Sequence, residues 1–300
     1  MELFDSVIIG SGVAGMTAAI YLKRSNKKVL ILERNAPGGQ INRTSKIENY
    51  PGFSGIDGPT LAYQIYEQMM NLKVEYRYGN VLEIKDLGSK KIIKTDMEEI
   101  ETKTVIIASG RIPKELGLPN EKELIGHGIS YCASCDGPLY QGKVVAVVGG
   151  GNSALEEALY LADICKKVYI IHRRKEFRAE EEIQEKVKKC ENIEFIYDAN
   201  VTKLVSDGHL TSILLKQNQE ELKLDIDGLF VYIGYVPDTE FLKDSSVLLE
   251  NGYVVVDGSM KTNVSGIYAC GDVIKKEYYQ ISTAVGEGAT AALSVKKDLK

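Results

Sequence analysis

Phe4-Asp5-Ser6-Val7-Ile8-Ile9-Gly10-Ser11-Gly12-Val13-Ala14-Gly15 decides the fold. The first six residues read as a buried strand, and a helical pattern from Met16 to Arg24 follows the glycines. A second apolar strand, residues 28–32, ends at Glu33, twenty-three positions after Gly10. In such a strand–turn–helix–strand unit the first glycine permits the tight turn. The second lets backbone N–H groups approach a pyrophosphate, and the third lets the helix pack closely. The helix N-terminus favours the negative charge, and an acid at the second strand tip takes ribose hydroxyls. Gly10, Ser11, Gly12, Val13, Ala14, Gly15 and Glu33 are therefore expected to cradle a dinucleotide.

The second half of the chain repeats the pattern. Residues 143–148 are an apolar strand, Gly149-Gly150-Gly151-Asn152-Ser153-Ala154 is the turn, 155–162 the helix and 167–171 the next strand. The position that matches Glu33 is His172, and Arg173, Arg174 and, one helical turn on, Arg178 follow it. A carboxylate repels a 2′-phosphate, whereas arginine binds it by charge-assisted hydrogen bonds. The first cradle is thus expected to take a nucleotide with a free ribose and the second NADPH. Because Lys175, Glu176 and Glu180 interleave with the arginines, a plain solvated face is the competing reading.

Just ahead of the second cradle lies Cys132-Ala133-Ser134-Cys135-Asp136. Two thiols with two residues between them can close a small disulfide ring and exchange between dithiol and disulfide. Asp136 is in reach to move a proton. The same spacing is half of a zinc site, but a zinc site needs two more ligands at short spacing. The nearest histidine is His127, and Cys165, Cys190 and Cys270 are scattered, so the pair reads as redox-active with no metal.

Composition narrows the function classes. The 300 residues are 44% hydrophobic and carry a net charge of −5, so a nucleic-acid backbone is not the expected partner. Five irregularly spaced cysteines do not form a secreted disulfide framework. Neither a signal peptide nor an 18-residue apolar run is visible, and a reducing cytoplasm is the simplest home.

Elsewhere, loops 36–40 and 47–53 are either inert or part of a ligand wall, and residues 59–70 read as a helix. Residues 81–87 pair with 91–95, and a buried strand runs from Thr104 to Gly110. Arg111-Ile112-Pro113 reads as a boundary and Asp244-Ser245-Ser246 as the return linker. Two strand pairs are expected between them, 201–205 with 213–216 and 222–226 with 228–233. Asn251-Gly252 marks a hairpin, Gly271-Asp272 a strand tip, and a small-residue helix starts near Gln280. Cys270 reads as a packed core thiol.

These residues together resemble the low-molecular-weight thioredoxin reductases, from Asp5 to about Val295. The resemblance rests on Gly10–Gly15 with Glu33, Gly38-Gly39-Gln40, Glu48-Asn49-Tyr50-Pro51-Gly52, Cys132–Gly137, Gly149–Ala154, His172-Arg173-Arg174 with Phe177-Arg178-Ala179, and Gly271-Asp272 with Gln280. It implies an α/β fold of two Rossmann-like nucleotide-binding domains of the three-layer ββα type, the second inserted into the first. Residues 1–112 and 245–300 would bind FAD, and 113–244 would bind NADPH and carry the cysteines. The FAD residues would include Arg34, Gly38, Gly39, Gln40, Asn49, Ala108, Gly110, Gly271, Asp272, Gln280 and Ile281. Gly149, Gly151, Asn152, Ser153, Ala154, His172, Arg173, Arg174 and Arg178 would serve NADPH.

The resemblance also implies a homodimer and a relay. A hydride from NADPH reaches FAD, then the Cys132–Cys135 disulfide with Cys135 facing the flavin, and Cys132 attacks a thioredoxin-like protein. Asp136 supplies the proton. A glutaredoxin-like or peroxidase partner, or a non-catalytic redox sensor, are the alternatives. Ser134, Ser109, Cys270 and Tyr279 depart from the common pattern, Tyr279 standing where an arginine is frequent. The intact arginine set argues against relatives that take electrons from ferredoxin.

Overall fold

A computed structural model of the chain describes residues 3–44, 46–218 and 220–299. They fall into two compact units, Met1–Ile112 with Val236–Lys300, and Pro113–Tyr235.

The first unit begins with β1 (Leu3–Ile9), α1 (Val13–Arg24), β2 (Val29–Glu33), α2 (Gly58–Asn71), β3 (Glu75–Tyr78), β4 (Val81–Asp86), β5 (Lys91–Thr95) and β6 (Glu99–Ile107). The parallel order β3-β2-β1-β6 continues through the antiparallel β5 and β4. Both faces of β1 are covered. Ile8 joins the core that includes Met16, Ala18 and Leu22 of α1, while Val7 and Ile9 join the opposite core with Leu30, Ile93 and Ile107. That double burial is why the sequence shows a continuous apolar run instead of an alternation.

The second unit contains β7 (Arg111–Pro113) in part, then β8 (Ile129–Ser130), α3 (Ala133–Asp136), β9 (Val144–Gly149), α4 (Asn152–Ile164), β10 (Lys167–Ile171), α5 (Glu181–Lys188) and β11 (Ile193–Ile196). It goes on through β12 (Ala199–Asp207), β13 (His209–Gln217), β14 (Glu220–Asp225) and β15 (Gly228–Tyr232). A parallel sheet of order β11-β10-β9-β15-β8 forms the middle layer. Val145 and Val147 of β9 pack with Leu155, Ala158 and Leu161 of α4 on one face. Ala146 and Val148 pack on the other face with Leu204, Ile213 and Leu215 of the three-stranded β12-β13-β14 sheet. This unit is a ββα sandwich in three layers.

The chain returns through β16 (Tyr235–Pro237), which pairs with β7. Then come the hairpin β17 (Leu249–Glu250) and β18 (Tyr253–Val254), β19 (Ile267–Ala269) and α6 (Ile281–Asp298). The hairpin turn has Asn251 and Gly252 at φ +52° and +84°, as its sequence demands. β19 pairs in parallel with the last residues of β6, beyond the part of β6 that pairs with β5. Gly288 of α6 packs on α1 so tightly that a Cβ there would lie 2.3 Å from the Ala14 carbonyl oxygen.

Three expectations change. Residues 222–226 and 228–233 are not a pair: β14 pairs with β13, and β15 joins β9 and β8 in the parallel sheet. β14 is mostly exposed, whereas Gly228–Val231 is buried throughout and needs a strand on both sides. Arg178 is not one helical turn beyond Arg174, because residues 173–180 form bends and loop and α5 starts at Glu181. The return crossing lies at Tyr235–Val236, ahead of Asp244-Ser245-Ser246, because Tyr235–Pro237 is held as a strand against Arg111–Pro113.

Candidate functional site

In the first unit, the Gly10–Gly15 turn explains its own composition. Gly10 has φ +100°, and a Cβ there would lie 2.4 Å from the Ala108 carbonyl oxygen. A Cβ on Gly15 would lie 2.0 Å from the Gly10 carbonyl oxygen. Gly12 differs: a Cβ there would meet nothing within 4 Å, so it faces open space. Gly12 also starts α1 with no side-chain cap, which leaves the first helical amides for an external acceptor.

Glu33 closes the far side. Its Oε2 accepts from Ser11 N at 2.8 Å and Ser11 Oγ at 2.9 Å. Its Oε1 accepts from the N–H groups of Arg34 and Asn35 at 2.9 and 2.8 Å. A carboxylate has about four acceptor positions and four donors of the chain reach this one, so it is fixed in place, and a ribose hydroxyl would take over the position that the rotatable Ser11 hydroxyl holds. The Gly38–Gln40 loop is tied in by Gly38 N donating to Ser11 O at 2.9 Å, and Gln40 Nε2 donates to Arg111 O at 3.3 Å.

Asp272, just past β19, accepts from Arg111 Nη2 at 2.9 Å and lies 3.4 Å from Lys276 Nζ. The Arg111 guanidinium stacks on the Tyr279 ring at 3.9 Å, so a cation is present at that departure from the common arginine. Next along the chain, Gln280 Oε1 accepts from Asn49 Nδ2 at 3.2 Å, and Gln280 caps α6 at Ile281. Thus Gly10–Gly15, Glu33, Gly38, Gly39, Gln40, Ala108 and Gly271 gather around the start of α1, while Asp272, Asn49, Gln280 and Ile281 gather at the start of α6. Gly110 lies at the end of that sheet, its carbonyl accepting from Asp238 N at 3.0 Å.

The second turn is built alike. A Cβ on Gly149 would lie 2.5 Å from the Tyr232 carbonyl oxygen, and one on Gly151 would meet nothing within 4 Å. Gly151 starts α4 with no side-chain cap, and Asn152, Ser153 and Ala154 form its first turn. The ring of His172 lies under Gly150, where a Cβ would come within 2.3 Å of it. His172 is 5% exposed, with Nε2 hydrogen-bonding to Glu176 O at 3.1 Å. Burial, with Arg178, Arg173 and Arg174 around it, holds its pKa below the usual histidine range, so the ring supports the loop as a neutral group. Arg173, Arg174 and Arg178 are all exposed, and among the described residues none of them forms an ion pair. Glu180 is turned towards Asn152 instead, so the interleaved acids do not neutralise the cluster.

Cys132 and Cys135 form a disulfide across α3, their Cα atoms 5.3 Å apart. Ser130 organises the turn. Its hydroxyl lies 2.6 Å from Asp136 Oδ2 and accepts from Cys132 N at 3.0 Å. The Tyr232 hydroxyl accepts from Ala133 N at 2.7 Å. Cys135 is exposed, whereas Cys132, the sulfur expected to attack a partner, is 7% exposed. Cys270 is fully buried, and burial pushes its thiol far above the usual range, which fits a core residue.

Several participants escaped the sequence. Arg34 Nη2 is bound to Asp238 Oδ2 at 2.6 Å, and burial pushes the Asp238 carboxyl up against that cation. Nothing local in Val236-Pro237-Asp238 announces this pairing, which spans 204 positions. Arg111 read only as a boundary. Ser130 carried a faint signal, being a lone polar residue in a buried two-residue strand six positions before Asp136.

The profile described as "Pyridine nucleotide-disulphide oxidoreductase" matches residues 4–288. The thioredoxin reductase of Bacillus subtilis (strain 168) is 41% identical over 298 residues, 98% of this chain and 94% of that one. The crystal structure of Lactococcus lactis thioredoxin reductase in its FR conformation gives a TM-score of 0.91 at 44% identity, covering 99% of both chains. That of T. acidophilum thioredoxin reductase gives 0.88 at 40%, again over 99% of both. On the match of the whole chain and the disulfide at Cys132–Cys135, this chain belongs to the pyridine nucleotide-disulphide oxidoreductase family, among its thioredoxin reductases.

Proposed function

We propose that the chain carries FAD, takes electrons from NADPH and reduces thioredoxin or a thioredoxin-like protein. The observation that carries this reading is the Cys132–Cys135 disulfide with Asp136 bound to the same Ser130 hydroxyl. It lies in the unit that also holds the second glycine turn and the uncompensated arginines. When bound, NADPH supplies a hydride and FAD carries the two electrons to the disulfide.

The first cradle suits FAD. Gly12 faces open space for a pyrophosphate, Glu33 presents a fixed carboxylate for ribose hydroxyls, and Asp272 can bind a polyol chain. The start of α6, an 18-residue helix, favours negative charge at the pyrimidine end of a reduced ring. The second cradle suits NADPH by the same open glycine and by three arginines for a 2′-phosphate.

The chain's own chemistry is thiol exchange. Two electrons and one proton open the disulfide to one thiol and one thiolate, and Asp136 delivers the proton with Ser130 holding its carboxylate. The Cys132 thiolate attacks the partner disulfide. Cys135 then attacks the Cys132 sulfur, which frees the reduced partner and closes the ring. Because Cys132 is buried, it must be uncovered before a protein-sized disulfide can reach it. A hinge of the μs–ms kind is proposed at the paired strands Arg111–Pro113 and Tyr235–Pro237, where the chain crosses between units, because the disulfide and the second glycine turn share one unit and both would have to serve a flavin held by the other. The protein is proposed to act in the cytoplasm as a homodimer of the 33.1 kDa chain.

The test is steady-state oxidation of NADPH by the yellow purified protein with thioredoxins of its host. Turnover with thioredoxin, and little with glutaredoxin-like or peroxidase partners, is the expected result. A protein bleached by NADPH that turns over no disulfide, not even a small aromatic one, would be a sensor instead. Asp136→Asn is expected to slow the exchange between flavin and dithiol by about a hundredfold, the scale of general acid catalysis, with the nucleotide Kd unchanged. Stopped-flow reoxidation of the flavin reads this step; an unaltered rate would remove Asp136 from the proton path.

A further inference from the structure

The arginines that set the second site apart sit on a loop with no regular structure, residues 172–180. Three long, flexible side chains on such a segment would lose much of their binding free energy to ordering unless something fixed the backbone beneath them. The structure shows three anchors. His172 is held under Gly150 by its bond to Glu176 O. Arg178 N donates to Gly150 O at 2.7 Å. The third is a reciprocal pair at the loop's far end: Asn152 Nδ2 donates to Glu180 Oε1 at 2.9 Å, and Glu180 N donates to Asn152 Oδ1 at 2.8 Å.

The third anchor carries information the first two do not. His172 and the Arg178 amide fix the loop to the glycine turn at its beginning and middle. Among the described residues, the hydrogen bonds that tie its end to the first turn of α4, the turn expected to face the pyrophosphate, are those of Asn152 and Glu180. Asn152 thereby has both of its side-chain heteroatoms committed to residue 180. Glu180 is an acid two positions from Arg178, and by charge alone it would weaken any anion site there. Its carboxylate accepts from Asn152, and no ion pair joins it to an arginine among the described residues.

We infer that Asn152 and Glu180 form a clasp that sets the distance between the helix N-terminus and the arginine loop, and so determines discrimination of a 2′-phosphorylated nucleotide from one with a free 2′-hydroxyl. Both are positioning residues. The inference rests on the reading of the second site as an NADPH site. It goes beyond that reading by assigning the selectivity partly to an acid, whose charge alone opposes phosphate binding.

The sign of the effect separates positioning from charge. Removing the Glu180 charge together with its side-chain hydrogen bond, as in Glu180→Ala, would weaken phosphate binding if the clasp matters and strengthen it if charge dominates. Calorimetric titration of the purified holoprotein with 2′,5′-ADP and with 5′-AMP reads the 2′-phosphate term directly, without turnover. Glu180→Ala is expected to cut the affinity ratio of the two by about tenfold, the scale of one charge-assisted hydrogen bond. Glu180→Gln keeps an acceptor for Asn152 Nδ2 and is expected to retain the wild-type ratio. Asn152→Ala, which removes both bonds, is expected to lose at least as much as Glu180→Ala. In kinetics, Glu180→Ala should raise the KM for NADPH with kcat unchanged, and leave the parameters for NADH as they are. A wild-type ratio in Glu180→Ala would overturn the clasp, and so would an equal loss in Glu180→Gln. A parallel loss for NADH would also overturn it, by showing general damage to the unit. If the wild-type protein itself bound both nucleotides equally, the NADPH reading would fail first, a separate and visible outcome.

Discussion

Cys132→Ser and Cys135→Ser are each expected to stop disulfide turnover, to about a thousandth of wild type or less, as for other single losses from a covalent machine whose parts act as a unit. The reason is stoichiometric. One sulfur alone cannot hold the two electrons as a dithiol, and serine oxygen does not exchange with a disulfide. Both variants are expected to remain yellow and to bleach with NADPH, because neither cysteine belongs to a nucleotide cradle. The two should differ towards a partner. In Cys135→Ser the remaining Cys132 is the sulfur proposed to attack and should trap a thioredoxin as a mixed disulfide that cannot resolve. In Cys132→Ser the remaining sulfur is the exposed one, yet it is assigned to the flavin side and should trap little. Mass spectrometry of the covalent adducts makes the comparison. Equal trapping by both would refute the division of labour, and retained turnover in either would refute the relay.

The second large effect is on nucleotide choice. Replacing Arg173, Arg174 and Arg178 with alanine is expected to raise the KM for NADPH by about a hundredfold or more, each charge-assisted hydrogen bond being worth roughly 1.5–3 kcal/mol. The contact is remote from the reacting carbon, so it acts as uniform binding and kcat should change little. NADH kinetics should hardly move. The arginines are exposed and, among the described residues, form no ion pairs, with Glu180 bound to Asn152. A triple variant that kept its preference for NADPH would return the cluster to the status of a solvated face.

Much of this is legible in the sequence. The glycines are legible for two different reasons: Gly10 and Gly15 have no room for a Cβ, while Gly12 and Gly151 keep the space beside the turn open. The spacing from Gly149 to His172 repeats that from Gly10 to Glu33 because helices of 13 and 12 residues, and then strands of five residues each, follow the two turns, the links making up the small difference. His172 shows the limit of such counting. Counting places it opposite Glu33, but only packing reveals that its ring lies beneath Gly150 as a support for the arginine loop. β14 and β15 mark a second limit. Their hydrophobic patterns suggested a hairpin, yet a two-residue link, Ile226-Asp227, carries the chain from one layer to another, a choice made by burial of Gly228–Val231. Long-range pairings such as Arg34–Asp238 and Arg111–Asp272 left no local trace, since each joins a loop to a segment more than a hundred positions away.

Electrons from NADPH are proposed to end on Cys132 and Cys135. Anaerobic reduction of the purified flavoprotein with NADPH, followed by alkylation and peptide mass mapping, shows where they go. Two additional alkylated thiols are expected after reduction, at Cys132 and Cys135, with the labelling of Cys165, Cys190 and Cys270 unchanged between the oxidised and reduced samples. A flavin that bleaches while the Cys132–Cys135 disulfide stays closed would contradict it.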